Sequence, residues 1–412
     1  MKNKYTPEIR FAGYTGNWDE YKLGDIAEKV SVGIATSSSQ YFSNKNQGIP
    51  FIKNQNVKEN WIDSSDLEYI SKEFDQANAT KRVREGDILT VRTGYPGMSA
   101  VVPKELEGAQ TFTTLITRLK KDTAIPEFIS AFINSATGMK QILGMEAGGA
   151  QKNVNAGILK NLLIQLPSLD EQKKVSSFIK DLSNTIALHQ QELDILKQTK
   201  QGFLQKMFPK EGKSVPEVRF PGFTRDWEQR KLNEVAEIIG GGTPSTAIQE
   251  YWGGDIDWYS PVEIGKETYA FGSQRKITTL GLRKSSAKVL PANKTILFTS
   301  RAGIGDMAIL KKDGATNQGF QSLVVNNNYD IYFVYSIGYK IKEFALKHAS
   351  GSTFLEISAK GLGKMDLFVP SLEEQIKIGN LFKQLDDFIA LYQRELDALK
   401  EMKKAFLQKM FV

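Results

Sequence analysis

The sequence of 412 residues contains no cysteine and only two histidines, His189 and His348. Disulfides, thiol nucleophiles and cysteine-based zinc sites are therefore excluded, and so is a histidine-rich metal centre. No run of about 20 apolar residues occurs, so the sequence predicts no membrane span. The opening residues MKNKYTPEIR lack the apolar core of a signal peptide. Together these absences favour a cytoplasmic protein.

Motifs of several enzyme classes are missing as well. Gly212-Lys213-Ser214 is similar to the end of a phosphate-binding loop, but Met207 occupies the position of its first glycine. The sequence has no Asn- or Asp-Pro-Pro-aromatic motif of adenine methyltransferases and no glycine-rich nucleotide loop after a predicted strand. It also has no clear Ser–His–Asp set and no convincing nuclease carboxylate cluster. We therefore expect a chain that is not an enzyme and binds no cofactor or metal of its own.

The composition is that of a globular protein large enough for two or three domains. Apolar residues make up 41% and charged residues 25% of the chain. The net charge of +7 is mildly basic. This charge is compatible with a polyanionic partner but does not identify one.

An internal repeat organises the chain. The letters FLQKMF occur at residues 203–208 and again at 406–411. The match extends over 167–208 and 370–411, where more than half of the aligned positions are identical. A second match pairs PEIRFAGYTGNWDEYKLGDIAE, from Pro7, with PEVRFPGFTRDWEQRKLNEVAE, from Pro216. One plan is therefore used twice.

The regions between the matched segments predict mixed α/β domains. Runs such as GDILTVRTGYPGMSAVV predict strands with tight turns, and IPEFISAFINSATGMKQIL predicts helix. The predicted order is a leading segment over 1–20, a mixed domain over 21–166, a helix over 167–208, a linker and second leading segment over 209–229, a second mixed domain over 230–369, and a C-terminal helix over 370–412.

The repeated tails predict two long helices. Ser168 with Glu171, and Ser371 with Glu374, have the spacing of a capping box. Apolar residues then recur every three or four positions, as in a coiled coil about 55–60 Å long. The seam residues are Ile179, Leu182, Ile186, Leu193, Leu196, Phe382, Leu385, Ile389, Leu396 and Leu399. We expect the helices to pair in antiparallel fashion with internal pseudo-twofold symmetry; the alternative is that each packs only on its own domain.

The two mixed regions share a skeleton but differ in their polar loops, which suggests recognition of two different targets. Arg pairs with guanine and Asn or Gln with adenine in the major groove, whereas Ser, Thr and Lys hold phosphates. Arg92 and Arg301 occupy what the sequence predicts to be the same place, so structural or phosphate-binding roles are alternatives for them. Polar side chains are also common in any surface loop. The candidate DNA contacts are Lys53, Asn54, Gln55, Arg92, Thr93, Tyr95, Gln151, Lys152, Thr243, Ser245, Trp258, Tyr259, Ser260, Arg301, Asn317 and Gln318.

The chain resembles the specificity subunits of type I restriction-modification systems over essentially its whole length. The leading segment from Pro216, the stretch GGGTPSTAIQEYWGGDIDWYSP and the tail PSLEEQ to FLQKMF carry the resemblance. The first half departs from the pattern, with SVGIATSSSQYF in place of the GGTPS loop. The role of that first loop is therefore less defined.

The resemblance implies that each mixed domain is a target recognition domain that reads one half of a split, asymmetric site in double-stranded DNA. The long helices set the spacing. Two methyltransferase subunits using S-adenosylmethionine bind the chain and methylate adenine, and endonuclease–translocase subunits using ATP and Mg join in the restriction form. The rival interpretation is a scaffold or adaptor that binds two protein partners and no DNA.

Overall fold

The computed structural model describes residues 6–145, 153–301, 303–351 and 355–411. The chain divides into two compact units: unit 1 comprises Met1–Gln190 and Glu395–Val412, and unit 2 comprises Gln191–Arg394. The boundary lies inside both long helices rather than at the junction of the two sequence repeats. Each unit therefore contains the end of the helix that the other repeat encodes.

Unit 1 is a mixed α/β body. Its strands are β1 Asp19–Lys22, β2 Ala27–Val32, β3 Phe42–Ser43, β4 Ile49–Ile52, β5 Val57–Lys58, β6 Trp61–Ile62, β7 Glu68–Ile70, β8 Ile88–Thr90, β9 Ser99–Val101, β10 Gln110–Thr111, β11 Leu115–Leu119 and β12 Leu163–Leu166. Its helices are α1 Leu23–Ile26, α2 Lys72–Ala77, α3 Pro126–Asn134, α4 Ala136–Met145, α5 Ala156–Lys160 and the first part of α6 Leu169–Lys206.

Unit 2 has a similar but not identical order of elements. Its strands are β13 Glu228–Lys231, β14 Ala236–Gly240, β15 Trp252–Tyr259, β16 Tyr269–Ala270, β17 Arg275–Ile277, β18 Thr295–Phe298, β19 Met307–Leu310, β20 Gly314–Thr316, β21 Gln321–Val325 and β22 Asp366–Val369. Its helices are the rest of α6, α7 Leu232–Val235, α8 Thr279–Arg283, α9 Ile331–Ser336, α10 Gly338–His348, α11 Ala359–Leu362 and the first part of α12 Leu372–Lys409.

Both units are built from equivalent sheets. The sheet β2-β11-β8-β9 of unit 1 corresponds to β14-β21-β18-β19-β16 of unit 2. A second sheet, β10-β4-β7-β3, corresponds to β17-β15-β20. In each second sheet one pair of strands is parallel, β4 with β10 and β15 with β20. This parallel pair positions the candidate site described below.

The long helices pair in antiparallel fashion inside each unit. In unit 1 the Phe178 ring of α6 meets Phe406 of α12 edge-on at 4.8 Å between centroids. In unit 2 the polar seam residue Lys200 of α6 forms an ion pair with the buried Asp386 of α12. Its repeat counterpart, Lys403, pairs with Glu59 at 2.9 Å.

The seam positions lie inside or at the edge of the packed helices. Ile179, Leu193, Phe382, Leu385 and Leu396 are buried, and Leu182, Ile186, Leu196, Ile389 and Leu399 are half-buried. The period of three and four residues therefore corresponds to a continuous packed stripe along both helices.

The repeated FLQKMF motif ends in a core residue that belongs to the unit of the other repeat. Phe208, at the end of the first copy, packs in unit 2 at 5.7 Å from both Phe333 and Phe382. Phe411, at the end of the second copy, packs in unit 1 at 5.2 Å from Phe128. The alternative in which each helix packs only on its own repeat's domain is therefore wrong.

Only one half of each predicted capping box forms. The Glu171 N–H donates to the Ser168 hydroxyl at 3.4 Å, and the Glu374 N–H donates to Ser371 at the same distance. The glutamate carboxylates, which the pattern assigns to the cap backbone, instead accept hydrogen bonds from arginines of the leading segments. The prediction for these carboxylates is corrected accordingly, because an arginine offers two N–H donors where the cap backbone offers one.

Candidate nucleic-acid interface

In both units, candidate residues gather at the carboxyl ends of the two parallel strands. In unit 1 the loop 53–56 follows β4 and the loop 112–114 follows β10, joined by the Phe112 N–H donating to the Ile52 carbonyl at 2.8 Å. In unit 2 the loop 260–263 follows β15 and the loop 317–319 follows β20, joined by Asn317 N–H to the Tyr259 carbonyl at 3.0 Å. Carboxyl ends of parallel strands meet at one edge of a sheet, which places these loops side by side.

The third element is the segment that follows β2 from Gly33 and β14 from Gly241, called the glycine loop below. A Cβ at Gly33 would lie 2.4 Å from the Thr111 carbonyl oxygen, and one at Gly241 would lie 2.0 Å from that of Asn317. Only glycine therefore fits where the chain leaves β2 or β14. In unit 2 the Thr243 hydroxyl donates to the Gln318 amide oxygen, so two predicted contacts lie together.

The fourth element is the tip of the β8–β9 hairpin in unit 1 and of β18–β19 in unit 2. Equivalent turn hydrogen bonds run from Gly97 N–H to Val91 O and from Gly305 N–H to Thr299 O. This register makes Ser300 the counterpart of Arg92, and Arg301 the counterpart of Thr93. The predicted shared place of Arg92 and Arg301 is thus wrong by one residue, because the sequence has one residue more between Leu297 and Arg301 than between Leu89 and Arg92.

The predicted contacts of unit 1 are spread over these loops. Lys53 forms an ion pair with Glu68 at 2.5 Å and lies 5.0 Å from the centre of the Phe42 ring. The Asn54 side-chain amide donates to the Thr93 hydroxyl at 3.4 Å, which ties the hairpin tip to the loop after β4.

The remaining candidates of unit 1 differ in exposure. Gln55 is exposed and Tyr95 is 77% exposed. The Arg92 Nε is buried without a hydrogen-bond partner among the described residues. Gln151 and Lys152 lie outside the described residues.

In unit 2, most predicted contacts lie on or beside the loops. Ser245 is exposed, and the Asn317 side chain accepts the Gly319 N–H at 2.8 Å. The Ser260 hydroxyl donates to Glu263 at 2.7 Å. Arg301 forms an ion pair with Glu356 at 2.9 Å.

Trp258 and Tyr259, by contrast, are core residues. They are 4% and 1% exposed, so their side chains do not form part of the surface. Burial raises the pKa of the Tyr259 hydroxyl. The Trp258 Nε1–H donates to the Gly242 carbonyl at 2.9 Å. The prediction that Trp258 and Tyr259 contact DNA from the surface is therefore wrong. Trp258 instead supports the glycine loop from within the core.

Sequence reasoning missed Trp252 and Arg275. The Trp252 Nε1–H donates to the Ser245 carbonyl at 3.1 Å. The Arg275 guanidinium lies 3.7 Å from the centre of the Trp252 ring. Trp252 and Trp258 are an even number of residues apart in one strand, and this spacing was a signal that could have pointed to Trp252. Arg275 had no such signal, because β17 has only three residues and gives no periodic pattern.

Neither a metal site nor a membrane-spanning helix occurs in the described part of the chain. Among residues 6–145, 153–301, 303–351 and 355–411, no group of three or more His, Asp or Glu side chains is placed to hold a metal ion. Within the same ranges, the helices are all too short or too polar to cross a bilayer.

Comparison with known proteins identifies the domain type. The family described as type I restriction modification DNA specificity domain matches residues 15–198 and again residues 224–401. The putative type I restriction enzyme MjaX specificity subunit of Methanocaldococcus jannaschii is 26% identical over 95% of this chain and 92% of its own. The MjaIX specificity subunit of the same organism is 34% identical, over 46% of this chain and 44% of its own, so that match spans about half of each protein.

A solved structure shares the fold. The type I restriction-modification system S subunit from M. genitalium superposes with a TM-score of 0.65 at 15% identity, over 99% of both chains. Since the family domain matches most of each half, this chain belongs to the type I restriction-modification DNA specificity family.

Proposed function

We propose that this chain is the specificity subunit of a type I restriction-modification complex, in which each unit reads one half of a split, asymmetric DNA site. One observation carries the proposal: the four loops occupy equivalent places in the two units and carry unlike side chains. A shared scaffold with different donors and acceptors is what two different half-sites require.

Several equivalent positions illustrate the difference. The short 3₁₀ helices Asn54–Asn56 and Pro261–Glu263 follow β4 and β15 at the same place. Lys53 in unit 1 therefore corresponds to Ser260 in unit 2. The exposed Gln55 corresponds to Val262, which is 84% exposed. An amide that can read adenine is thus matched by an apolar side chain that can contact a thymine methyl group.

The long helices supply the spacer in this proposal. Each has 38 residues and would measure about 57 Å if straight. Each continues from one unit into the other without interruption. In this proposal the length of the paired helices would set the distance between half-sites, much as protein geometry fixes half-site spacing in dimeric readers.

The partners in this proposal are two methyltransferase subunits, seated on equivalent surfaces of the two units. They would hold S-adenosylmethionine and take the target adenine out of the duplex. Endonuclease–translocase subunits with ATP and Mg would complete the restriction form. The chain itself would contribute recognition and spacing rather than catalysis.

Salt-dependent DNA binding tests this proposal against the adaptor alternative. The chain is mixed with its methyltransferase and titrated with duplex DNA at rising salt concentration. Phosphate contacts predict a linear fall of the logarithm of the binding constant with the logarithm of salt. The adaptor alternative predicts no duplex binding even when the methyltransferase is bound.

A further inference from the structure

An arginine in unit 2 is held in place by two tryptophans. The Trp252 and Trp258 rings meet edge-on, 5.0 Å apart and at 90°. The Arg275 guanidinium stacks 3.7 Å from the Trp252 ring centre and lies 5.4 Å from that of Trp258. Stacking on tryptophan is the strongest cation–π arrangement, and it fixes the plane of the guanidinium.

The same tryptophans fix the glycine loop. Their indole N–H groups donate to the backbone carbonyls of Ser245 and Gly242. On the other side, the Gln274 N–H donates to Glu263 in the loop after β15 at 2.7 Å. Arg275 is thus positioned relative to two of the four loops, although it lies on neither.

The guanidinium has donors to spare. Among the described residues no carboxylate pairs with Arg275 and no side chain accepts a hydrogen bond from it, whereas Arg10, Arg82, Arg118 and Arg219 each hold a carboxylate. The neighbouring Lys276 and Lys312 instead share the buried Asp257, at 3.7 and 3.0 Å. Arg275 therefore presents an exposed, oriented fork of N–H groups.

Unit 1 has the same aromatic platform with a different charge arrangement. Phe42 lies opposite Ile70 as Trp252 lies opposite Ile277. Phe51 lies opposite Glu68, as Trp258 lies opposite Arg275. The place of Arg275 is thus taken by Glu68, which neutralises Lys53, the cation over the Phe42 ring.

We propose that Arg275 is a specificity-determining residue that reads the O6 and N7 edge of a guanine in the half-site of unit 2. This inference rests on the proposed DNA-recognition function and adds a residue to it. A planar, pre-oriented fork matches a guanine edge with two hydrogen bonds, and this is the commonest specific contact of arginine with DNA. Unit 1, with Glu68 at this place, would lack the equivalent contact.

The test uses the complete chain with its methyltransferase and compares Arg275→Lys and Arg275→Gln with Arg283→Gln. Arg283 is exposed at the end of α8. Its substitution also removes one positive charge from unit 2 but leaves the arginine on the tryptophans intact, so it serves as the control. Adenine methylation is mapped by sequencing. The half-site read by unit 2 is identified as the half that stays unchanged when residues 30–160 of unit 1 are replaced. Thermal unfolding confirms that each variant folds; Arg275→Lys keeps a cation on Trp252 and serves if Arg275→Gln is unstable.

The expected result is loss of preference for guanine at one position of that half-site, by about 10-fold or more in Arg275→Gln. Arg275→Lys should lose less of this preference, because an ammonium group lacks the planar fork of the guanidinium. The other half-site, the gap and the Arg283→Gln profile stay unchanged. An unchanged site in both Arg275 variants would overturn the inference. So would a uniform loss of affinity at all sequences with a shallower salt dependence, since that is the signature of a phosphate contact. A wild-type protein that directs no split methylation site would instead refute the proposed function.

Discussion

Arg10 donates two hydrogen bonds to Glu171, from Nε to Oε1 at 2.6 Å and from Nη2 to Oε2 at 2.7 Å. Arg219 and Glu374 repeat this arrangement in unit 2, with both distances 2.8 Å. The leading segment of each repeat is thereby tied to the first turn of a long helix. The helix dipole also favours a carboxylate there, and the hydrogen bond with Glu171 raises the pKa of Arg10.

Arg10→Ala is expected to lower the free energy of unfolding by about 3 kcal/mol, because Glu171 is 1% exposed and would remain buried without a partner. Arg10→Lys keeps the charge but loses the two-pronged geometry, so a smaller loss is expected. Urea unfolding measures both. Hydrogen exchange should locate the loss at the start of α6.

Arg219→Ala is the matched control for Arg10→Ala. It should produce a similar loss confined to the start of α12, since it breaks the same contact in unit 2. A loss below about 1 kcal/mol for both arginines would mean that the pairs behave as solvated surface contacts, which usually contribute about 0.2–1 kcal/mol.

The glycine loops permit a prediction for each unit separately. Gly241→Ala places a Cβ against a backbone carbonyl, so the loop must move. Recognition of one half-site should then weaken by about 10-fold or more, as expected when one base contact is displaced. Gly33→Ala should affect the other half-site. Gly240→Ala is the control, because its added Cβ meets nothing closer than 3.4 Å. Binding to duplexes with one altered half-site measures the effect; equal effects of Gly240→Ala and Gly241→Ala would contradict the close-approach argument.

Asp257 makes unit 2 sensitive to acid. Burial alone would raise its pKa, but a hydrogen bond from Ser273 and ion pairs with Lys312 and Lys276 lower it below the ordinary 3.8. Its contribution to stability is therefore present above about pH 4 and is lost as pH falls through the lowered pKa. Asp257→Asn should be less stable than wild type at pH 7, by about 1–3 kcal/mol.

The difference between wild type and Asp257→Asn should shrink as the pH falls below 3.8, the ordinary value. Unfolding free energies measured from pH 7 down to pH 2.5 would show it. A difference that stays constant over this range would mean that the pKa of Asp257 is the same in the folded and unfolded protein.

Local patterns predicted much of this fold, and long-range pairing accounts for what they missed. The heptad spacing of residues such as Ile179 and Phe382 is local, and it predicted both long helices. The partner of Glu171 could not be found this way, because Arg10 is 161 residues away. The packing of each helix end in the other unit could not be predicted from local patterns either. The apolar pattern of FLQKMF is the same whichever unit Phe208 packs in.

The candidate site shows the same limit. Gln55, Tyr95 and Ser245 lie on the surface, as polar or aromatic loop residues often do. The polar neighbours of Trp258 in sequence predict a surface position for it. Trp258 is buried instead, and it supports the glycine loop through its hydrogen bond to Gly242. Arg275 was missed because its position depends on strand pairing with Trp258 rather than on neighbours in sequence.

The length of the paired helices should set the gap between the two half-sites. Seven residues inserted after Gln190 in α6, together with seven after Arg394 in α12, would lengthen both helices at the unit boundary and preserve the seam. Each insertion adds about 10 Å, so the gap in the DNA site should grow by about three base pairs. An insertion in one helix alone should destabilise the protein instead. A gap of unchanged length in the double insertion would contradict the spacer role.

Sequencing methylated adenines after one unit is exchanged shows whether each unit reads its own half of a split site. Residues 30–160 are replaced by the corresponding region of a relative, and the chain is expressed with its methyltransferase. We expect a split site in which one half changes while the other half and the gap stay the same. A change in both halves, or methylation at sites without two separate halves, would contradict it.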